Sequence, residues 1–134
     1  MPLFRLFHID VPADEVWTPI TKDARYEALT GNVDAAVRMG IYSEVAHIEA
    51  ETIDRVFPLS NHIESDWTRG DAIRAAAVPA RSTSMGDIVM DEDGALFSCA
   101  MVGWKPLEPQ QDQAFRDMLG SKICTLDAPG THSP

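Results

Sequence analysis

The run Leu3-Phe4-Arg5-Leu6-Phe7-His8-Ile9 is short, aromatic-rich and bounded by Pro2 and by Asp10-Val11-Pro12. Two helical turns would be too short to stand alone, so the run predicts a first β-strand. Pro12, Pro19, Gly31 and Gly40 then punctuate a region where Ala24, Ala28 and Leu29, and later Val33, Ala36 and Val37, recur at helical spacing. Asn32 suits the N-cap of the second helix and Gly40 its stop. From Ile41 to Ala50 the alternation is imperfect but β-forming residues dominate, which predicts a second strand. Glu51 to Phe57 reads as a short helix ended by Pro58.

Between Leu59 and Ala80 the pattern weakens, with Asn61, Asp66, Gly70 and Pro79 as breakers. This is read as a long connection pinned by Trp67, with a brief alanine-rich helix over Asp71 to Ala77. Ile88-Val89-Met90, the turn Asp91-Glu92-Asp93-Gly94, Ala95 to Cys99 and Met101 to Lys105 then predict a three-stranded meander. Pro109 opens a last helix whose apolar face is Ala114, Phe115, Met118 and Leu119, with Gly120 as its stop. The expected fold is α+β: a small, mainly antiparallel sheet with short helices packed on one face. Residues 1–120 form one domain and 121–134 a C-terminal tail. The expected core is Phe4, Leu6, Val45, Ile48, Ile53, Phe57, Ile88, Phe97, Val102 and Trp104.

Composition narrows the function classes. The chain has 134 residues with 11 Lys+Arg against 21 Asp+Glu, a formal net charge of -10. At this length one core suffices without a metal or disulfide staple. The acidic surplus argues against direct nucleic-acid binding and against an anionic membrane. No apolar run approaches the ~20 residues of a membrane span. The start, Met1 to Arg5, lacks the apolar core of a signal peptide, so a cytoplasmic location is expected.

Candidate chemistry is sparse. Cys99 and Cys124 lack the spacing of a zinc or redox pair, and His8, His47, His62 and His132 are scattered singly, so neither a metal nor a cofactor is expected. A calcium loop with Asp93 at its fifth position would need an oxygen ligand at Val89 and a glutamate at Ala100, and both fail. Asp93-Gly94 is a turn device instead. Arg81-Ser82-Thr83-Ser84-Met85-Gly86-Asp87 could cradle an anion, yet it lacks a phosphate-loop lysine and runs into a strand, which favours turn capping. Asn61-His62 with Asp66 and Trp67 is the most site-like cluster. It has no nucleophile in a recognisable motif, and His62 is expected to tie down the 59–80 connection.

Val56-Phe57-Pro58-Leu59-Ser60-Asn61-His62-Ile63, Trp67, Arg81 to Val89 and Gly103-Trp104 together resemble small plasmid- and phage-borne proteins similar to the YodL-like and KfrB-like domains of mobile elements. The resemblance covers about Val45 to Leu107, and Met85 stands where that family more often has valine. It implies a mobile-element setting and transfers no catalytic residue. The residues that carry it, Asn61, His62, Trp67, Arg81, Ser82, Ser84, Gly86, Asp87 and Trp104, make sense as a structural signature: Arg81 pairs with a carboxylate, Ser82 and Ser84 cap a turn, and Trp104 closes the sheet's apolar face.

Three function classes compete. The first is a non-catalytic acidic protein that binds and inhibits a host defence complex with a basic surface, of anti-CRISPR or anti-restriction type, imitating nucleic-acid charge. Glu64, Asp66, Asp87, Asp91, Glu92 and Asp93 are its expected partner-binding residues. The second is an accessory domain serving plasmid maintenance or assembly through protein contacts. The third is an enzyme using His62. Acidity and the missing catalytic motifs favour the first, and an uncovered sheet edge leaves room for a homodimer.

Overall fold

A computed structural model of the chain describes residues 1–10, 16–62, 66–77 and 80–121. Six antiparallel strands form one sheet: β1 (Leu3–Ile9), β2 (Tyr42–Glu49), β3 (Ile73–Ala76), β4 (Ile88–Met90), β5 (Leu96–Cys99) and β6 (Trp104–Pro106), in the order β3-β2-β1-β4-β5-β6. The helices are α1 (Pro19–Leu29), α2 (Asp34–Met39), α3 (Val56–Leu59) and α4 (Pro109–Ser121). The α+β class and the antiparallel sheet are as the sequence predicts.

β1 carries large apolar residues on both faces because both faces are covered. Phe7 and Ile9 point to one side, where Ala24 and Ala28 of α1, Ala36 and Val37 of α2, and Phe115 and Met118 of α4 pack. Phe115 meets Phe7 and Tyr42 edge-on, with ring centroids 5.1 and 5.5 Å apart. Phe4 and Leu6 point to the other side, against Ile48, Val56, Trp67 and Val89. Strand periodicity divides the apolar residues of one strand between two cores.

The imperfect alternation of β2 has a cause. Leu6 opposes Ala46 and Phe7 opposes Glu44, so the register shifts there and Val45 is the extra residue of a β-bulge. Arg5 opposes His47. The bulge therefore brings Glu44 and His47, three residues apart, to the same face as Arg5.

Several expectations are corrected. Asp71 to Ala77 contains no helix: Ile73–Ala76 is strand β3, held to β2 by Glu49 N–H to Ala72 O at 2.8 Å and Ala77 N–H to Val45 O at 2.8 Å. An unpaired edge of β2 outweighs the helical propensity of alanine. Over 51–59, a 3-10 turn at Ile53–Arg55 leads into α3. Pro58 lies inside α3 rather than stopping it, in a first turn where a missing N–H costs little. Val102 is 90% exposed, because it sits in the turn closed by Ala100 N–H to Gly103 O, and Phe57 is also exposed. Ile53, Phe97 and Trp104 are half-buried at the edge of the second core. Gly120 lies within α4, and the tail expected over 121–134 falls, past Ser121, outside the described residues.

Gly86 couples the two halves of the chain. Its φ is +90°, and a Cβ there would lie 2.7 Å from the Cβ and 2.8 Å from the carbonyl oxygen of Ala28 in α1. Gly86→Ala is expected to cost more than about 2 kcal/mol, combining backbone strain with overpacking. Urea unfolding reads the loss, and an unchanged midpoint would show that α1 can retreat freely.

Candidate functional site

Asp87, the residue before β4, has no exposed surface. Its Oδ1 accepts from Ile9 N–H at 3.0 Å and Arg81 Nη2 at 2.8 Å, and its Oδ2 from Arg81 Nη1 at 2.7 Å and Ser84 N–H at 2.8 Å. This two-pronged guanidinium contact is the geometry that best stabilises a desolvated carboxylate. Arg81 Nη2 also reaches Ile9 O at 3.2 Å, and Cys99 N–H reaches Asp87 O at 2.7 Å. One ion pair thus joins the end of β1, the 80–87 segment and β5.

The expected signature residues gather around it. Trp67 Nε1 donates to Arg81 O at 2.9 Å, Asn61 Nδ2 to Thr83 O at 2.7 Å, and Ser82 Oγ to His62 O at 3.0 Å. Tyr42 donates to Gly86 O at 2.8 Å, a contact the sequence did not suggest. Trp104 packs apart from this network, on the second core. His62 departs from its expected role. Its ring is exposed, and only its backbone carbonyl ties down the connection.

His8 is buried beside the pair, with Nε2 3.0 Å from Thr83 Oγ1 and 3.7 Å from Asp87 Oδ2. Burial lowers its pKa to about 4, against the pull of Asp87 and with the help of Arg81. Desolvation outweighs the nearby carboxylate, whose pull Arg81 partly offsets. Thr83, His8 and Asp87 match a nucleophile, base and acid in composition only. Hydroxyl and carboxylate approach the same ring nitrogen, whereas a relay needs opposite nitrogens, and Thr83 is fully buried. Burial and the Asp87 charge push the Cys99 thiol up to about 12, which keeps it protonated at neutral pH.

A second buried polar group, not anticipated from sequence, is set by the bulge. Arg5 Nε lies 2.6 Å from Glu44 Oε2, and His47 Nε2 lies 3.1 Å from the same oxygen. Burial alone would raise the Glu44 carboxyl, but hydrogen bonds from His47 and Arg5 outweigh it and hold it below its ordinary range. His47 Nδ1 is buried without a hydrogen-bond partner. A neutral ring donating from Nε2 to Glu44 would leave Nδ1 as an acceptor, which costs less to strand than a donor.

The expected partner-binding acids separate into distinct roles. Asp87 cannot meet a partner, since it is sealed and saturated, and this corrects that expectation. Asp66 caps the 3-10 turn Trp67–Arg69 through Thr68 N–H at 3.0 Å and remains exposed. Glu64 lies outside the described residues. Asp91, Glu92 and Asp93 form the β4–β5 hairpin tip. Asp91 Oδ1 accepts from Asp93 N–H at 3.0 Å and Ala95 N–H at 2.9 Å, and Arg116 of α4 donates to Gly94 O at 2.6 Å, so the turn backbone is fixed. With Pro2, Phe4, Ile53 and Phe97, the three acids line a depression of about 260 Å³.

Among the described residues no group of three or more His, Cys, Asp or Glu is placed to hold a metal ion. No helix of the described residues is long and apolar enough to cross a membrane. No protein-family model, curated protein or solved structure matches the chain.

Removing Arg81 strands a buried carboxylate. Arg81→Met is expected to cost about 3 kcal/mol, the low end for a broken buried pair because Arg81 is itself partly exposed, whereas His62→Ala should stay within about 0.5 kcal/mol. Denaturant titrations compare the two, and equal losses would place the His62 ring in the scaffold after all.

His8 gives a pH signature. Below pH 6.5 the unfolded chain takes up a proton that the folded chain refuses until about pH 4, so stability falls as pH drops through this window. The full loss is roughly 3 kcal/mol, and above pH 6.5 the group contributes nothing. His8→Gln should flatten the difference in unfolding free energy between pH 7 and pH 4.5. An unaltered slope would mean that His8 is not the titrating group.

Proposed function

We propose that the chain is a non-catalytic binding protein that presents the Asp91-Glu92-Asp93 tip to a basic surface of a host complex. The observation that carries this reading is the depression beside the tip, whose apolar floor of Pro2, Phe4, Ile53 and Phe97 is rimmed by three carboxylates. Glu92 and Asp93 are exposed and, among the described residues, are not paired with a cation. Such a site suits lysine or arginine side chains set around an apolar anchor, the composition of a basic protein interface. Because the turn is already fixed, binding loses little backbone entropy.

Two further features support a partner in host defence. The net charge of -10 suits a protein that occupies a groove otherwise holding nucleic acid. The resemblance to mobile-element proteins favours an anti-CRISPR or anti-restriction role in the cytoplasm. The non-catalytic part of the reading is supported by the state of the buried groups: Asp87 is saturated, Thr83 is sealed, and Cys99 is held protonated.

Replacing Asp91 and Asp93 by Asn and Glu92 by Gln keeps the side-chain acceptor at Asp91 and removes three charges. Folding should be retained, while capture of a purified CRISPR effector or restriction complex weakens and loses much of its salt dependence, since exposed charges are screened over about 8 Å at physiological ionic strength. Binding that is equal for the triple variant and the native chain, at low and high salt alike, would remove the tip from the interface.

A further inference from the structure

We propose that the outer flank of α1 is a second docking surface, on the opposite side of the sheet from the hairpin-tip depression, and that it takes an acidic peptide segment carrying a large apolar side chain. α1 buries only Ala24 and Ala28, so small residues bring it close to the sheet and its bulky residues face outward. Lys22, Arg25, Tyr26 and Leu29 follow the i, i+3, i+4, i+7 spacing of one helix flank. With Trp17 they line a hollow of about 400 Å³. Tyr26 is 69% exposed, and Val16, Ile20 and Leu29 are exposed nearby.

Charge identifies the occupant. Arg5, Arg69, Arg74, Arg81 and Arg116 each face a carboxylate, whereas among the described residues Lys22 and Arg25, like Arg38, Arg55 and Lys105, have no ion-pair partner; of these, Lys22 and Arg25 stand together on one apolar hollow. The helix's own acids, Asp23 and Glu27, fall on its other flank by the same periodicity. Two cations without a carboxylate partner among the described residues, side by side on an apolar hollow, match a ligand that brings carboxylates and an apolar anchor together. The Arg25 guanidinium lies 5.5 Å over the Trp17 ring, which holds the aromatic wall in place. A hollow of this size suits a side chain entering a pocket.

The test pans a display library of random short peptides against the full chain, with the Lys22→Glu/Arg25→Glu variant as counter-target. Enriched peptides should combine Asp or Glu with Phe, Trp or Leu. Synthetic copies should bind the double variant at least roughly ten-fold more weakly, bind Tyr26→Ala more weakly without any change of charge, and weaken as salt rises. They should bind the Asp91→Asn/Glu92→Gln/Asp93→Asn protein as tightly as the native chain, which separates this surface from the hairpin tip. The proposal is overturned by a lack of enrichment, by enriched peptides without carboxylates, or by equal binding to native and doubly substituted protein. Association with phosphatidylserine vesicles that the same two substitutions abolish would overturn it in favour of a lipid surface.

Discussion

A carboxylate with no contact to water lies where the end of β1, the 80–87 segment and the β4–β5 pair converge, and the Arg81 guanidinium makes that burial tolerable. Four donors saturate the Asp87 side chain, two from Arg81 and two from backbone amides that strand pairing leaves unused. The same guanidinium returns a hydrogen bond to Ile9 O, and the Arg81 carbonyl accepts from Trp67. The long connection and the central strand are therefore tied to one point. His8 stays neutral beside this pair chiefly because it is buried away from water, with the Arg81 charge offsetting part of the pull of Asp87.

How much of this was legible in the sequence depends on whether the cause was local. β1, the meander, the Pro109 helix start and the Gly40 stop each rest on short-range chemistry and were readable. β3 was not, because Ile73-Arg74-Ala75-Ala76 is a strand only by virtue of the β2 edge beside it. The β2 bulge was visible merely as a fault in alternation, without the partner register that says which residue is extra. Val102 and Phe57 were assigned to the core by hydrophobicity, which cannot register that a turn or a short surface helix will carry them outward. The Arg81 to Asp87 signature was recognised as structural, but its full depth of burial was not, so Asp87 was also placed on a surface. The α1 flank is not legible, because the spacing of Ala24, Ala28 and Leu29 marks a helix without saying that only the two alanines are buried.

The two faces of the sheet carry surfaces of opposite chemistry. Beside β1 and β5 an apolar depression is rimmed by the hairpin-tip acids, and across the sheet α1 sets two cations among aromatic and aliphatic side chains. Both are shallow and both are mounted on rigid elements, a turn fixed by Asp91 and Arg116 in one case and a capped helix packed on alanines in the other. That arrangement suits recognition of protein surfaces more than enclosure of a small molecule.

The central place of β1 has a consequence for synthesis on the ribosome. This strand is translated before both of its neighbours in the sheet, yet Arg5 pairs with His47 on one side and with Met90 on the other, so its second edge stays open until β4 has been made. Such long-range pairing slows folding and leaves apolar strands waiting. Through that interval Leu3 to Ile9 has the composition of an aggregation-prone segment. Arg5 stands in its middle. A positive charge inside such a segment disfavours the stacking of like strands, and the folded chain uses the same charge to pair with Glu44.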